Sequence, residues 1–204
     1  MLWRRPAYLA LALLASCATP SARNDYFART DAWALLQALN ADLLSHNSAT
    51  STLERWCADH HLAEPPRIAA RRLRDGKKPL PDELRAQLGL DADEPVAYRH
   101  VQLVCGDHVF SEADNWYVPS RLTPEMNRQL ATTDEPFGKV VRPLRFQRRT
   151  LSSAPLWHLS RQRREVPRDV LRHTAVLYTS AHVPFSAVVE TYQSGLFDFW
   201  QDRP

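Results

Sequence analysis

VAYRHVQLVCGDHVFSEADNWYVP, residues 96–119, reads as two strands joined by a tight turn. Residues 96–104 are rich in β-branched and aromatic side chains, Cys105-Gly106-Asp107 supplies the turn, and the chain returns as a second strand that Pro119 stops. Three further strand candidates follow at 144–151, 156–163 and 171–179. A last one, 185–192, comes after a turn around Ala181-His182. Between them Thr123-Pro124-Glu125 opens a helix, with threonine as cap and proline at the first position. A second short helical piece follows Pro136-Phe137-Gly138.

The stretch before Pro95 has a different period. Trp33, Leu36, Leu39, Leu43 and Leu44 recur at helical spacing and predict an amphipathic helix over 31–45. Ser51 and Glu54 have the spacing of a capping box, and Leu53, Trp56 and Leu62 continue a second helix that Pro65-Pro66 ends. Residues 67–80 are basic and carry no clear period. Pro81-Asp82-Glu83 then opens a short helix that Gly89 closes. Helices first and a hairpin-connected sheet afterwards is an α+β order, with a mainly antiparallel sheet of about six strands and flanking helices. The helical part, 31–90, and the α+β part, 91–204, are expected to form one compact domain.

The N-terminus bears on compartment. Arg4 and Arg5 precede an apolar run over 7–15, and Leu14-Ala15-Ser16-Cys17 follows. Charge, apolar core, small residues and cysteine in that order are the layout of a bacterial lipoprotein signal. Residues 1–16 would be removed, Cys17 lipidated, and residues 17–30 left as a tether. The expected location is the cell envelope, anchored through Cys17 and facing the periplasm, with the outer membrane as the expected membrane. An anchor helix and a mis-assigned start remain the alternatives. The apolar run is much shorter than the ~20 residues of a membrane span.

Removing the signal leaves enough chain for one well-buried domain and too little for two. Arg4 and Arg5 account for two of 26 basic residues against 23 acids, so the mature chain is close to neutral. The pI is no nucleic-acid footprint, and no nucleic-acid partner is expected. With Cys17 lipidated, Cys57 and Cys105 are left in an oxidising compartment, where a disulfide is the usual outcome and two separately buried thiols are the alternative. Cys57 and His61 stand one helical turn apart, but no second ligand pair follows, so no metal is expected.

Several short motifs fall in a familiar order. Leu88-Gly89-Leu90 leads through Glu94-Pro95-Val96 to Arg99, then to Gly106-Asp107 and Tyr117-Val118-Pro119. Pro136-Phe137-Gly138, Leu156-Trp157 and a final stretch from Pro184 to Glu190 come after. In this order the segment 88–192 resembles the chorismate lyase-like fold, shared by chorismate pyruvate-lyase and the UTRA ligand-sensing domain of GntR-type regulators. The DNA-binding module of those regulators would precede Leu88, where the composition supports none.

The resemblance implies a pocket for a small aromatic or cyclic carboxylate. By order, the family's strand arginine and closing-strand glutamate match Arg99 and Glu190, the implied catalytic pair. An arginine fork can hold a carboxylate, and a glutamate in an apolar pocket can assist proton movement. Arg148 or Arg149, Trp116 and Gly138 are the implied ligand-binding residues. The activity implied is that of a cofactor-free carbon–oxygen lyase that takes pyruvate from chorismate. The alternative is a non-catalytic envelope protein that binds or senses a ligand, and a third is a structural lipoprotein without one. Compartment separates them, because chorismate is a cytoplasmic metabolite. Read without the resemblance, Arg99 faces solvent or pairs with an acid, and Glu190 lies on the exposed face of a half-buried strand. Glu112 and Asp114 depart from the lyase pattern, and roughly ten arginine-rich residues are inserted between Trp157 and Leu171.

Overall fold

Side chains that alternate along residues 96–119 face two different layers, and this divides the molecule. The computed structural model describes residues 20–91, 93–159 and 165–201; the signal 1–16 and Cys17 lie outside the described residues, as do 160–164 of the insertion. The elements are α1 (Pro20–Ser45), α2 (Ala49–Asp59), β1 (Ile68–Arg72), α3 (Asp82–Leu88), β2 (Ala97–Cys105), β3 (His108–Tyr117), α4 (Pro124–Thr132), α5 (Phe137–Val140), β4 (Gln147–Pro155), β5 (Asp169–Tyr178), β6 (Pro184–Gln193) and α6 (Asp198–Gln201).

The six strands form one antiparallel sheet in the order β1-β2-β3-β6-β5-β4. The α+β class with flanking helices is therefore the architecture of the chain. β2 and β3 pair from Ala97 opposite Tyr117 to Cys105 opposite His108, with a bulge at Leu103/Val104. Gly106 turns the hairpin at φ 56°, a left-handed conformation in which a side chain would be strained. β6 then pairs with β3 and β5 at once, so the last strand lies mid-sheet.

One face of the sheet is covered by α1 and α2. Leu36, Leu39 and Leu43 of α1 and Leu53 of α2 are buried with Ile68, Phe110, Trp157 and Tyr192 in one core cluster. Trp33 packs edge-on against Trp157 with ring centroids 5.7 Å apart. Leu44 lies off this stripe and is exposed. The opposite face is covered by α3, whose Leu84 and Leu88 pack on Trp116, Val176 and Ala187. A third cluster, including Met126, Leu130, Phe137, Phe146, Leu177 and Phe185, closes one end through α4 and α5.

Several boundaries differ from the sequence reading. α1 begins at Pro20 rather than Asp31, so residues 20–30 are helical. The cap of α2 is Ser48, whose hydroxyl accepts from the Ser51 amide, not Ser51 itself. β1 was hidden in the basic 67–80 stretch, since a five-residue edge strand with two arginines carries little apolar alternation. Its Arg72 donates to the carbonyls of Leu130, Ala131 and Thr133, neutralising the negative end of α4. Residues 156–159 are not a strand. Leu156 and Trp157 share the Val170 carbonyl, and the Trp157 ring turns into the core.

Cys57 of α2 and Cys105 at the end of β2 are fully buried and brought together as a bonded pair, with Cα atoms 6.1 Å apart. The link spans the layer between helix and sheet.

Candidate functional site

The α1/α2 face of the sheet is not filled everywhere. Residues at alternate positions of neighbouring strands line a cavity between sheet, α2 and α5. Val101, Ala113, Val188 and Leu177 make its floor, and Phe137 and Phe146 one wall. About 50 Å³ is available to the centres of water molecules, several times the need of a single water, within about 540 Å³ of unfilled space that includes the mouth. Asn47, Ser48, Ala49 and Thr50 complete the rim, so α2 starts at the cavity and presents the positive end of its dipole there. Gly138 allows this approach. A Cβ on it would lie 2.9 Å from the Thr50 hydroxyl.

Three charged side chains reach in. Arg99 comes from β2, Arg148 from β4 and Glu190 from β6. β2 and β4 are separated by four strand spacings, roughly 19 Å along the sheet. Only long side chains pointing inward from both sides can share one cavity at that distance.

Arg148 and Glu190 are committed to each other. Arg148 donates to Glu190 Oε2 at 2.6 Å, and their side chains are 4% and 8% exposed. The Tyr192 hydroxyl donates to the same oxygen at 3.0 Å. Burial pushes the Arg148 pKa down, but the Glu190 charge outweighs it, and the net direction is upward. Burial first, then the Glu190 charge, holds the Tyr192 phenol well above its ordinary range.

Among the described residues Arg99 has no such ion pair, although the Asp134 charge acts on it favourably. It is 8% exposed, and among the described residues it donates only to the Glu135 carbonyl at 3.4 Å while its buried Nε has no partner. Burial, with the like charge of Arg72, lowers its pKa to about 10, which leaves it a cation at neutral pH. A buried cation held this poorly is expensive for the fold. It is the arrangement an anion would complete.

Beneath the pocket lies a second polar group. His173 stands opposite Glu190 in the β5–β6 register and is fully buried. Its Nε2 is 2.8 Å from Asn40 Oδ1 of α1, which also accepts from Ser153. Burial lowers the His173 pKa to about 4, so the ring is neutral; Nε2 carries the proton that Asn40 receives, and buried Nδ1 has no partner.

Of the residues singled out in the sequence, Arg99, Arg148, Glu190 and Gly138 come together at this cavity. Arg149 and Trp116 do not, because strand alternation turns them to the α3 face. Arg149 is exposed, donates to Gln87 and stacks over the Tyr178 ring at 5.1 Å. Trp116 donates to the Lys78 carbonyl and packs on Tyr98. Glu112 and Asp114 also lie away from the cavity, around buried His100, Lys78 and Tyr98. Tyr192, Asn115 and the start of α2 were missed, although Tyr192 stands two residues from Glu190 on the same face. Among the described residues no group of three or more His, Cys, Asp or Glu is placed to hold a metal ion.

No protein-family model matches the chain. It is 45% identical over 186 residues to the uncharacterized protein y4mC of Sinorhizobium fredii (strain NBRC 101917 / NGR234), covering 84% of this chain and 78% of that one. Among solved structures it is similar to the effector domain of PhnF from Mycobacterium smegmatis, at 14% identity and a TM-score of 0.47, over 72% of this chain and 89% of that one. It is also similar to a GntR-family transcriptional regulator from Enterococcus faecalis V583, at 15% identity and a TM-score of 0.44, over 63% and 95%.

Proposed function

We propose that this chain, which belongs to the family of the Sinorhizobium fredii protein y4mC, binds a small aromatic or cyclic carboxylate in the cavity between its sheet and α2. One observation carries the reading: Arg99 is a buried cation that forms no ion pair among the described residues, and it lines a largely apolar cavity. The apolar floor suits a ring, and the Arg99 guanidinium and the start of α2 suit its carboxylate.

Calorimetric titration with benzoate, 4-hydroxybenzoate and cyclohexanecarboxylate tests this. At least one should bind, and Arg99→Met should weaken it about tenfold to a hundredfold, the range for a charged hydrogen bond. The same variant should be as stable as wild type or more so, because it removes an unbalanced buried charge. Unchanged affinity in Arg99→Met would mean that Arg99 is not the anchor.

The lyase reading rests on Arg99 and Glu190 lining one cavity. Mature protein incubated with chorismate should then release pyruvate, and none across a wide pH range eliminates catalysis on that substrate. Chorismate carries two carboxylates while only one guanidinium of the cavity is uncommitted, and this charge balance favours a binding role.

The proposed compartment is the cell envelope, with the chain anchored by lipid on Cys17; the support is the order of residues 1–17. Labelled fatty acid should enter the wild-type chain and not Cys17→Ser, which should leave the membrane fraction. In the same preparations Cys57 and Cys105 should resist a thiol probe under denaturing, non-reducing conditions. Full labelling of both would exclude the disulfide.

A further inference from the structure

The cavity holds two arginines and one glutamate, and the glutamate has chosen between them. Arg148 sits 2.6 Å from Glu190, with Tyr192 adding a second hydrogen bond to the same oxygen. Among the described residues Arg99 has only a long contact to a backbone carbonyl. The lining therefore carries one surplus positive charge, at the β2 end, and a neutralised pair at the β4–β6 end.

We propose that Glu190 is an internal counter-anion that restricts the cavity to ligands bearing a single carboxylate. This rests on reading the cavity as a carboxylate site. A monocarboxylate completes Arg99 and leaves the Arg148–Glu190 pair intact. A second carboxylate at the far end would have to displace Glu190 from Arg148, where both side chains are almost completely buried, like charges repel strongly and an abandoned Glu190 would keep the Tyr192 hydrogen bond alone among the described residues. Glu190 is then a specificity residue acting through Arg148.

Benzoate and terephthalate form a matched pair, differing by one carboxylate at the opposite end of the ring. Wild type should bind benzoate about tenfold or more tightly than terephthalate. Glu190→Gln, which frees Arg148 while keeping the side-chain shape, should reverse or abolish that preference. Because this variant leaves Arg148 buried and unpaired, its folding is checked with and without terephthalate, which should stabilise it more than benzoate does. The double variant Arg148→Met/Glu190→Gln carries neither charge, has no far-end cation to offer, and should still prefer benzoate over terephthalate.

Equal wild-type affinity for the two ligands overturns the proposal and leaves the carboxylate site standing. So does an unchanged preference in Glu190→Gln. A folded double variant that prefers terephthalate overturns it by showing that the Arg148 and Glu190 charges do not set the preference. If wild type binds neither ligand, the proposal falls, and the carboxylate reading falls with it when 4-hydroxybenzoate and cyclohexanecarboxylate also fail to bind.

Discussion

Arg148→Met is expected to destabilise the protein by about 3–5 kcal/mol, the cost of leaving one partner of a buried ion pair alone. Both side chains are almost completely buried, and Glu190 would keep a single hydrogen bond, from Tyr192. In a domain of this size that loss corresponds to a fall of roughly 6–20 °C in Tm. The pair itself need not be stabilising, since desolvating two charges consumes much of what their attraction returns. Arg148→Met/Glu190→Gln should therefore recover most of the loss and lie within about 1–2 kcal/mol of wild type. Urea unfolding of the three proteins at pH 7 measures both values. A single variant as stable as wild type would mean that the pair is open to water. A double variant no better than the single would mean that Arg148 acts by packing and not by charge.

The second large effect is set by pH. His173 is buried with its pKa depressed to about 4 by desolvation, against an ordinary value of 6.5. Between these values the unfolded chain takes up a proton that the folded chain refuses. Stability is then fully present above about pH 6.5, falls as pH drops, and stops falling from this source below about pH 4. The contribution over the whole window is about 3 kcal/mol. His173→Gln keeps a donor for Asn40 and cannot titrate there. Its unfolding free energy, followed from pH 7.5 to 4, should lack that part of the slope, whereas carboxylate effects are common to both proteins and cancel in the difference. Parallel curves would show that His173 takes up its proton in the fold as readily as in the unfolded chain.

The two halves of the sequence were unequally legible. The hairpin at 96–119 could be read because alternation, a Gly-Asp turn and a terminal proline agree. The caps at Thr123 and Gly89 are legible for the same reason, each requiring a particular residue. β1 was not, since its five residues are stabilised by pairing with β2 and by Arg72 on the end of α4, and neither leaves a local pattern. Trp157 illustrates the converse: it resembles a strand residue but serves the core from an irregular segment. At the cavity, Arg99 and Glu190 could be read from motif order. Arg148 could not be separated from Arg149, because a one-residue difference decides the face and only the β4–β5 register fixes it. The partnership of Arg148 with Glu190 was out of reach, since it joins residues 42 positions apart.

α1 begins at Pro20, three positions after the cysteine proposed to carry lipid, and runs for 26 residues. At 1.5 Å per residue that is a rod about 39 Å long. A leash of the same residues would let the domain tumble freely over the bilayer. A rod whose far half is packed on the sheet would instead hold its own length as a spacer, so that the reach from lipid to domain is set by helix geometry and not by the coiling of a leash.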